Sequence, residues 1–142
     1  MDGRFKKTNR LKSITSSLPD SQEKVVSEIV DSLFAVHSNL GPGLLESVYE
    51  ECLAFELSDR KINYQRQVSV PIQYRSRKLN LGFRLDLLIE DFLVIELKAV
   101  ENLLPVHEAQ LITYLKLAAK PIGLLVNFNV PMIKDGIHRL VK

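Results

Sequence analysis

The sequence predicts an α/β fold of two N-terminal helices, a three-stranded antiparallel meander, a crossover helix and a parallel strand. Three observations support this fold. Apolar residues recur at helical spacing through residues 21–59, and they fall on alternate positions through residues 85–99. A short apolar run at residues 122–126 follows a helical segment, and such runs are typical of buried parallel strands. A strand, a helix and a parallel strand in this order require a right-handed crossover.

The two N-terminal helices have recognisable limits. The first is predicted from Ser21 to a stop signal at residues 39–41, and Gly41-Pro42-Gly43 then breaks the chain. The second runs from Leu44 to about Asp59, with glutamates in its N-terminal half, where the helix dipole favours them. The apolar positions of the first helix are Val25, Val26, Ile29, Val30, Leu33, Phe34, His37 and Leu40.

The predicted meander follows at once. Residues 61–74 are expected to form an edge strand, since Pro71 cannot donate to a ladder and marks an edge or a bulge. The remaining predicted elements are strands at 79–90 and 92–100, a helix from Pro105 to about Ala119, the parallel strand at 122–126 and a short element near 136–141.

Composition indicates one globular domain. The chain has 142 residues, of which 46% are hydrophobic and 25% charged, so it can bury a core of ordinary size. We expect a flexible basic arm at residues 1–20 and a single domain at 21–142. No apolar stretch approaches the roughly 18 residues of a membrane span, and no secretory signal is evident, so we expect a cytoplasmic protein. Cys52 is the only cysteine, which excludes an intramolecular disulfide and a cysteine-based zinc site.

Charge is unevenly distributed along the chain. Residues 1–20 carry five basic and two acidic groups, whereas residues 21–142 carry 14 basic and 15 acidic groups. The overall balance does not favour binding of nucleic acid by charge alone. Seven cations and no acid lie between Arg60 and Arg84, and they form either a phosphate-facing edge or a solvated, charge-blunted sheet edge.

Asp86, Glu96 and Lys98 are the first candidate site residues. If the apolar face of residues 85–99 is continuous, Asp86 lies opposite Glu96, and the two carboxylates have Cβ atoms about 4.5–5.5 Å apart. Like charges at that separation are destabilising, and a divalent cation would neutralise them; Mg²⁺ prefers one or two carboxylates with waters and phosphate oxygens. Lys98 lies on the same face, so the set predicts a phosphodiester-cleaving site. The proposed apolar face contains Leu85, Leu87, Ile89, Leu93, Ile95, Leu97 and Ala99.

Two helices carry further polar pairs. Glu46 and Tyr49 are at i and i+3 on the second helix and share a stripe. Gln110 and Tyr114 are at i and i+4 on the third helix, which must pack on the sheet that holds Glu96. His107, one turn earlier, is expected to be structural, because no third ligand at zinc-like spacing accompanies it.

The chain resembles the GxxExxY proteins, a branch of the PD-(D/E)xK nuclease superfamily, from about Glu23 to its end. Their signature is matched by Gly43-Leu44-Leu45-Glu46-Ser47-Val48-Tyr49. Further blocks of the family are matched by Phe83-Arg84-Leu85-Asp86, Glu96-Leu97-Lys98-Ala99-Val100, Pro105-Val106-His107-Glu108-Ala109-Gln110 and Asn127-Phe128-Asn129-Val130-Pro131.

This resemblance implies a restriction-endonuclease-like core and a Mg²⁺- or Mn²⁺-dependent nuclease, with DNA favoured over RNA. Asp86 and Glu96 would be metal-binding acids, joined by the carbonyl of Leu97, and Lys98 would orient the attacking water or stabilise charge on the phosphate. In RecB-like members a helical glutamate adds a metal ligand, and Glu46 matches it. The Gln-xxx-Tyr element of those members is matched by Gln110 and Tyr114.

Three points remain open from the sequence. The superfamily has a proline before the first acid, whereas Leu85 precedes Asp86 here; the proline contributes no ligand. The rival hypothesis is a non-catalytic module that keeps the nuclease-like fold and binds nucleic acid or a protein. A homodimer is a third possibility, because a domain of this size offers little surface to a duplex.

Overall fold

The structure, a computed structural model, describes residues 18–142. The predicted basic arm therefore lies outside the described residues, apart from its last three positions. The elements in chain order are helix α1 (Asp20–Leu40), helix α2 (Glu46–Asp59), strands β1 (Tyr64–Tyr74), β2 (Arg77–Ile89) and β3 (Leu93–Lys98), helix α3 (Pro105–Ala118), strand β4 (Ile122–Asn127), a 3₁₀ turn (Ile133–Asp135) and strand β5 (Ile137–Val141).

The strands form one mixed sheet in the order β1-β2-β3-β4-β5. The first three strands are an antiparallel meander, and β4 pairs parallel to β3 after the α3 crossover, as the sequence predicts. The short element expected near residue 136 is the edge strand β5, which pairs antiparallel to β4. The fold is thus α/β and restriction-endonuclease-like.

Helices cover both faces of the sheet. Helices α1 and α2 pack on one face through a large core that includes Leu33, Leu53 and Ile95. Helix α3 packs on the other through a smaller core built on Leu111 and Leu115. Because both faces are covered, all six residues of β4 are buried, which explains the apolar run at this position.

The expectation of one continuous apolar face from Leu85 to Ala99 is wrong at Leu85. Leu85 packs in the smaller core beside Leu88, whereas Leu87 packs in the larger one. The β1–β2 ladder pairs residues on both sides of Gln67 and Asp86 but skips these two, and Gln67 has a φ of 52°. The strand alternation is therefore interrupted at Asp86, and this residue lies at an irregularity of the sheet.

The β1–β2 hairpin extends well beyond its neighbour. Strand β3 pairs with β2 only at Leu87, Leu88 and Ile89, so among the described strands the earlier residues of β2 pair with β1 alone. The predicted irregularity at Pro71 is present as a register shift between Pro71 and Gln73. Among the helices of residues 18–142, none has the length and apolar character that crossing a bilayer requires.

Candidate active site

Asp86 and Glu96 meet where β2 and β3 separate. The last backbone pair is Leu87 with Ile95, and one further step places Asp86 across from Glu96, in the register predicted from the sequence. At that step, hydrogen bonds from backbone amides to the two carboxylates replace the backbone hydrogen bonds of the ladder. Glu96 Oε1 accepts a hydrogen bond from the Asp86 amide at 3.2 Å, and Asp86 Oδ2 accepts one from the Leu97 amide at 2.8 Å. Each carboxylate is thereby hydrogen-bonded to a backbone amide of the opposite strand.

Burial and charge act together on Glu96. Glu96 is only 7% exposed. Its desolvation raises the pKa of its carboxyl group to about 8, and the neighbouring charge of Asp86 is the second cause of this shift. Lys98 opposes the shift by favouring the ionised carboxylate. A second positive charge at the pair would favour the ionised form further, since an opposite charge within about 4–6 Å stabilises a carboxylate.

Glu46 lies on the same groove as Asp86, at the first position of α2. The groove has a volume of about 540 Å³, and its walls include Glu46, Glu50, Asp86 and Leu97. Glu46 Oε2 accepts a hydrogen bond from the Ala99 amide at 3.3 Å, so its carboxylate lies beside the end of β3.

Tyr49 fixes the turn that leads to Glu46. Its hydroxyl donates to the Gly41 carbonyl at 2.6 Å and accepts from the Leu44 amide at 3.2 Å. The ring is fully buried and stacks on Phe128 with centroids 4.2 Å apart. The expected polar stripe of Glu46 and Tyr49 is therefore wrong: Tyr49 is a core residue, and its hydroxyl ties the turn before α2 to the helix.

Tyr49→Phe is expected to destabilise the fold by about 1–3 kcal/mol, because a partly buried carbonyl and amide lose their partner. Urea denaturation measures this loss. Tyr74→Phe is the matched control, since Tyr74 is 63% exposed and should tolerate the change. Equal stability of the two variants would show that the Tyr49 hydroxyl does not hold the turn.

Of the two α3 candidates, the structure brings Tyr114 close to the acids. Its pKa is raised by desolvation, and then by the charges of Glu96 and Asp86. The ring stacks on Phe83 with centroids 4.2 Å apart, which fixes it against the sheet. Gln110, one turn earlier, is exposed and has no hydrogen bond to either acid within residues 18–142. His107 is structural, since its Nδ1 accepts from the Leu104 amide at the helix start.

Asn127 is a site-supporting residue that the sequence analysis placed in a family block without giving it a role. Its side chain is almost fully buried and bonds both backbone groups of Val100: Nδ2 donates to the carbonyl at 2.9 Å, and Oδ1 accepts from the amide at 3.0 Å. The Phe128 amide also donates to the Lys98 carbonyl at 2.9 Å. These bonds fix the chain directly after Lys98. The sequence feature that could have identified Asn127 is a side-chain amide at the end of a buried strand.

The donor set suits a hard divalent cation. Two facing carboxylates match the oxygen ligands of Mg²⁺, which keeps several waters and uses one or two carboxylates. In the part of the chain that the structure describes, no three His, Cys, Asp or Glu side chains form a metal-sized cluster. Glu46 is thus a wall of the groove and not part of a preformed three-acid centre.

The fold and this pair of acids define a nuclease-like domain. A family model described as the PD-(D/E)XK nuclease superfamily matches residues 23–140, and the chain belongs to that superfamily. The solved structure titled "Crystal structure of SSO0001" is 21% identical, with a TM-score of 0.47, and the match covers 99% of this chain and 76% of that chain. No curated protein matches the sequence.

Proposed function

We propose that this protein is a GxxExxY member of the superfamily and a metal-dependent nuclease that hydrolyses phosphodiester bonds, with DNA favoured over RNA. The observation that carries the proposal is the convergence of Asp86 with a desolvated Glu96, with Lys98 on the same strand as Glu96. When both carboxylates are ionised, their repulsion is destabilising, and a bound cation would offset it. Superfamily membership supports the reaction class.

Asp86, Glu96 and the Leu97 carbonyl would hold Mg²⁺ or Mn²⁺, and Glu46 would add a carboxylate from the groove wall. Such an ion lowers the pKa of a bound water and neutralises charge on the phosphate. Lys98 would place its ammonium against the charge that develops on the transferring phosphate, and it would orient the attacking water. Gln110 and Tyr114 would supply neutral hydrogen-bond donors from α3.

A cleavage assay tests this proposal. Single- and double-stranded DNA and RNA are incubated with the protein in Mg²⁺, in Mn²⁺ and in EDTA. We expect metal-dependent hydrolysis, faster for DNA than for RNA. Absence of cleavage of all four substrates in both metals would refute the nuclease assignment.

The second candidate is a non-catalytic module that keeps this fold and binds nucleic acid or a protein. The near-neutral charge of residues 21–142, with 14 basic and 15 acidic groups, favours it. Calorimetric titration discriminates: no binding at millimolar Mg²⁺ or Mn²⁺ by a folded protein favours the module, whereas binding favours the enzyme. The cytoplasmic location and the homodimer also stay predictions. Analytical ultracentrifugation measures the oligomeric state and so tests the homodimer.

Glu96 predicts an unusual pH dependence of stability for the metal-free protein. Because the pKa of Glu96 rises from 4.5 to about 8 on folding, the folded state holds this proton more tightly, and its contribution to stability is lost as the pH rises through that range. Urea denaturation in EDTA should therefore show falling stability between about pH 5 and pH 8. Glu96→Gln should flatten the slope, and parallel curves for the two proteins would contradict the assignment.

A further inference from the structure

We propose that the projecting part of the β1–β2 hairpin, residues 70–84, is an arm that binds duplex DNA in its major groove. We call these residues the ribbon. The inference rests on the proposed function, because that function makes nucleic acid the partner. It names the surface with which the proposed nuclease would bind its substrate.

Within residues 18–142, both edges of the ribbon are open. Since β3 pairs with β2 only from Leu87 to Ile89, no third strand of this described part lies beside the ribbon, and β1 is the edge of the sheet. At about 3.3 Å per residue, the nine steps from Arg77 to Asp86 span about 30 Å, which is close to the 34–36 Å of one turn of duplex DNA.

The ribbon has almost no core of its own. Nearly every residue from Pro71 to Gly82 is exposed, including Leu81 at 74%. Its attachment is at the base, where the Phe83 ring stacks on Tyr114 of α3. The two strands are tightly paired there, because a Cβ on Gly82 would clash with the Val70 carbonyl oxygen. A two-stranded hairpin is only marginally stable alone, so a partner that covers this surface would stabilise it.

The cations of the hairpin divide into paired and unpaired groups. Near its base, Arg66 bonds Glu50 and Glu51 of α2, and the preceding Arg60 pairs with glutamates of both helices. In the ribbon, no cation has a carboxylate within salt-bridge distance in the described part of the chain, and no acid lies between residues 60 and 84. The cations without a carboxylate partner, called unpaired below, are Arg75, Arg77, Lys78 and Arg84, and the Arg75 guanidinium lies 5.5 Å from the centre of the Tyr74 ring.

Shape and charge together indicate duplex DNA. The major groove of B-form DNA is about 12 Å wide and admits a two-stranded β-ribbon, whereas the deep, narrow major groove of A-form RNA excludes side chains. Four unpaired cations can replace condensed counterions along the phosphates. Arg84 is two residues before Asp86, so a duplex on the ribbon continues toward the acids. The alternative from the sequence is that these cations only prevent an exposed sheet edge from pairing with other chains. That alternative does not predict that they bind DNA.

The test is a triple variant at the exposed tip, Arg75→Gln with Arg77→Gln and Lys78→Gln. Its affinity for a fluorescent DNA duplex is measured by anisotropy in EDTA across a range of salt. Loss of three phosphate contacts should reduce the slope of log K against log salt by about 2.7 and weaken binding by about 10²–10³-fold at 0.1 M salt. The matched control removes the same charge from other exposed positions: Lys24→Gln with Lys116→Gln and Lys142→Gln.

Several results would overturn the inference. These are equal salt slopes for the tip and control variants, no duplex binding by the wild type at low salt, or equal losses on single-stranded DNA or duplex RNA. Cleavage of the same duplex separates this inference from the proposed function. If the wild type cleaves DNA and the tip variant binds normally, only the ribbon fails. If the wild type binds through the ribbon but cleaves nothing in Mg²⁺ or Mn²⁺, only the nuclease fails.

Discussion

Asp86→Ala is expected to lower kcat/KM for metal-dependent DNA cleavage by at least about 10³-fold, since the variant loses a carboxylate that would bind the metal. The substitution also leaves the Leu97 amide without its acceptor at 2.8 Å, which loosens the end of β3. Lys98→Ala should cost about 10²–10³-fold, the range for removing one group that stabilises transition-state charge. Gel-based initial rates with excess substrate measure both losses.

Calorimetry separates the two roles. Asp86→Asn keeps the shape of the side chain but should weaken Mg²⁺ binding, whereas Lys98→Ala should bind the ion at least as well as the wild type, because a nearby positive charge has been removed. Asp59→Asn and Lys61→Ala are matched controls at exposed positions away from the acid pair. Equal activity of the wild type, Asp86→Ala and Lys98→Ala would refute the site.

Arg139→Ala is expected to cost about 3–5 kcal/mol of folding stability, the largest effect that we expect outside the acid pair. Arg139 of β5 makes a bidentate pair with Glu23 of α1, with Nη1–Oε1 and Nη2–Oε2 distances of 2.9 and 2.7 Å. The side chains are 2% and 6% exposed, so truncation of the arginine leaves a carboxylate buried without a partner. Urea denaturation at neutral pH measures the loss.

Two further variants test this explanation. Lys120→Ala breaks an ion pair with Asp91, whose side chain is 86% exposed, and should cost less than about 1 kcal/mol. Glu23→Leu combined with Arg139→Met replaces the buried pair by apolar groups and should be more stable than Arg139→Ala. A loss below about 1 kcal/mol for Arg139→Ala would show that the pair does not hold β5 to α1.

Short-range patterns were enough to predict much of the fold. The helical period of α1 and the apolar run of β4 depend on neighbours in the chain, so both could be inferred from the sequence. The pairing of Asp86 with Glu96 followed from a turn of a few residues between two alternating segments, because such a turn leaves little choice of register.

Contacts between distant segments could not be predicted from local patterns and became visible in the fold. Glu23 and Arg139 are 116 residues apart, and no local pattern predicts that they meet. The irregularity opposite Gln67 moved Leu85 into the smaller core, and Tyr49 proved to be a buried anchor for the turn before Glu46. Local patterns were sufficient to predict the helices and strands and the two acids that face each other, because neighbouring residues control those features. Burial, salt-bridge partners and the free charge of the ribbon depend on the packing of the whole chain, and only the folded structure decided them.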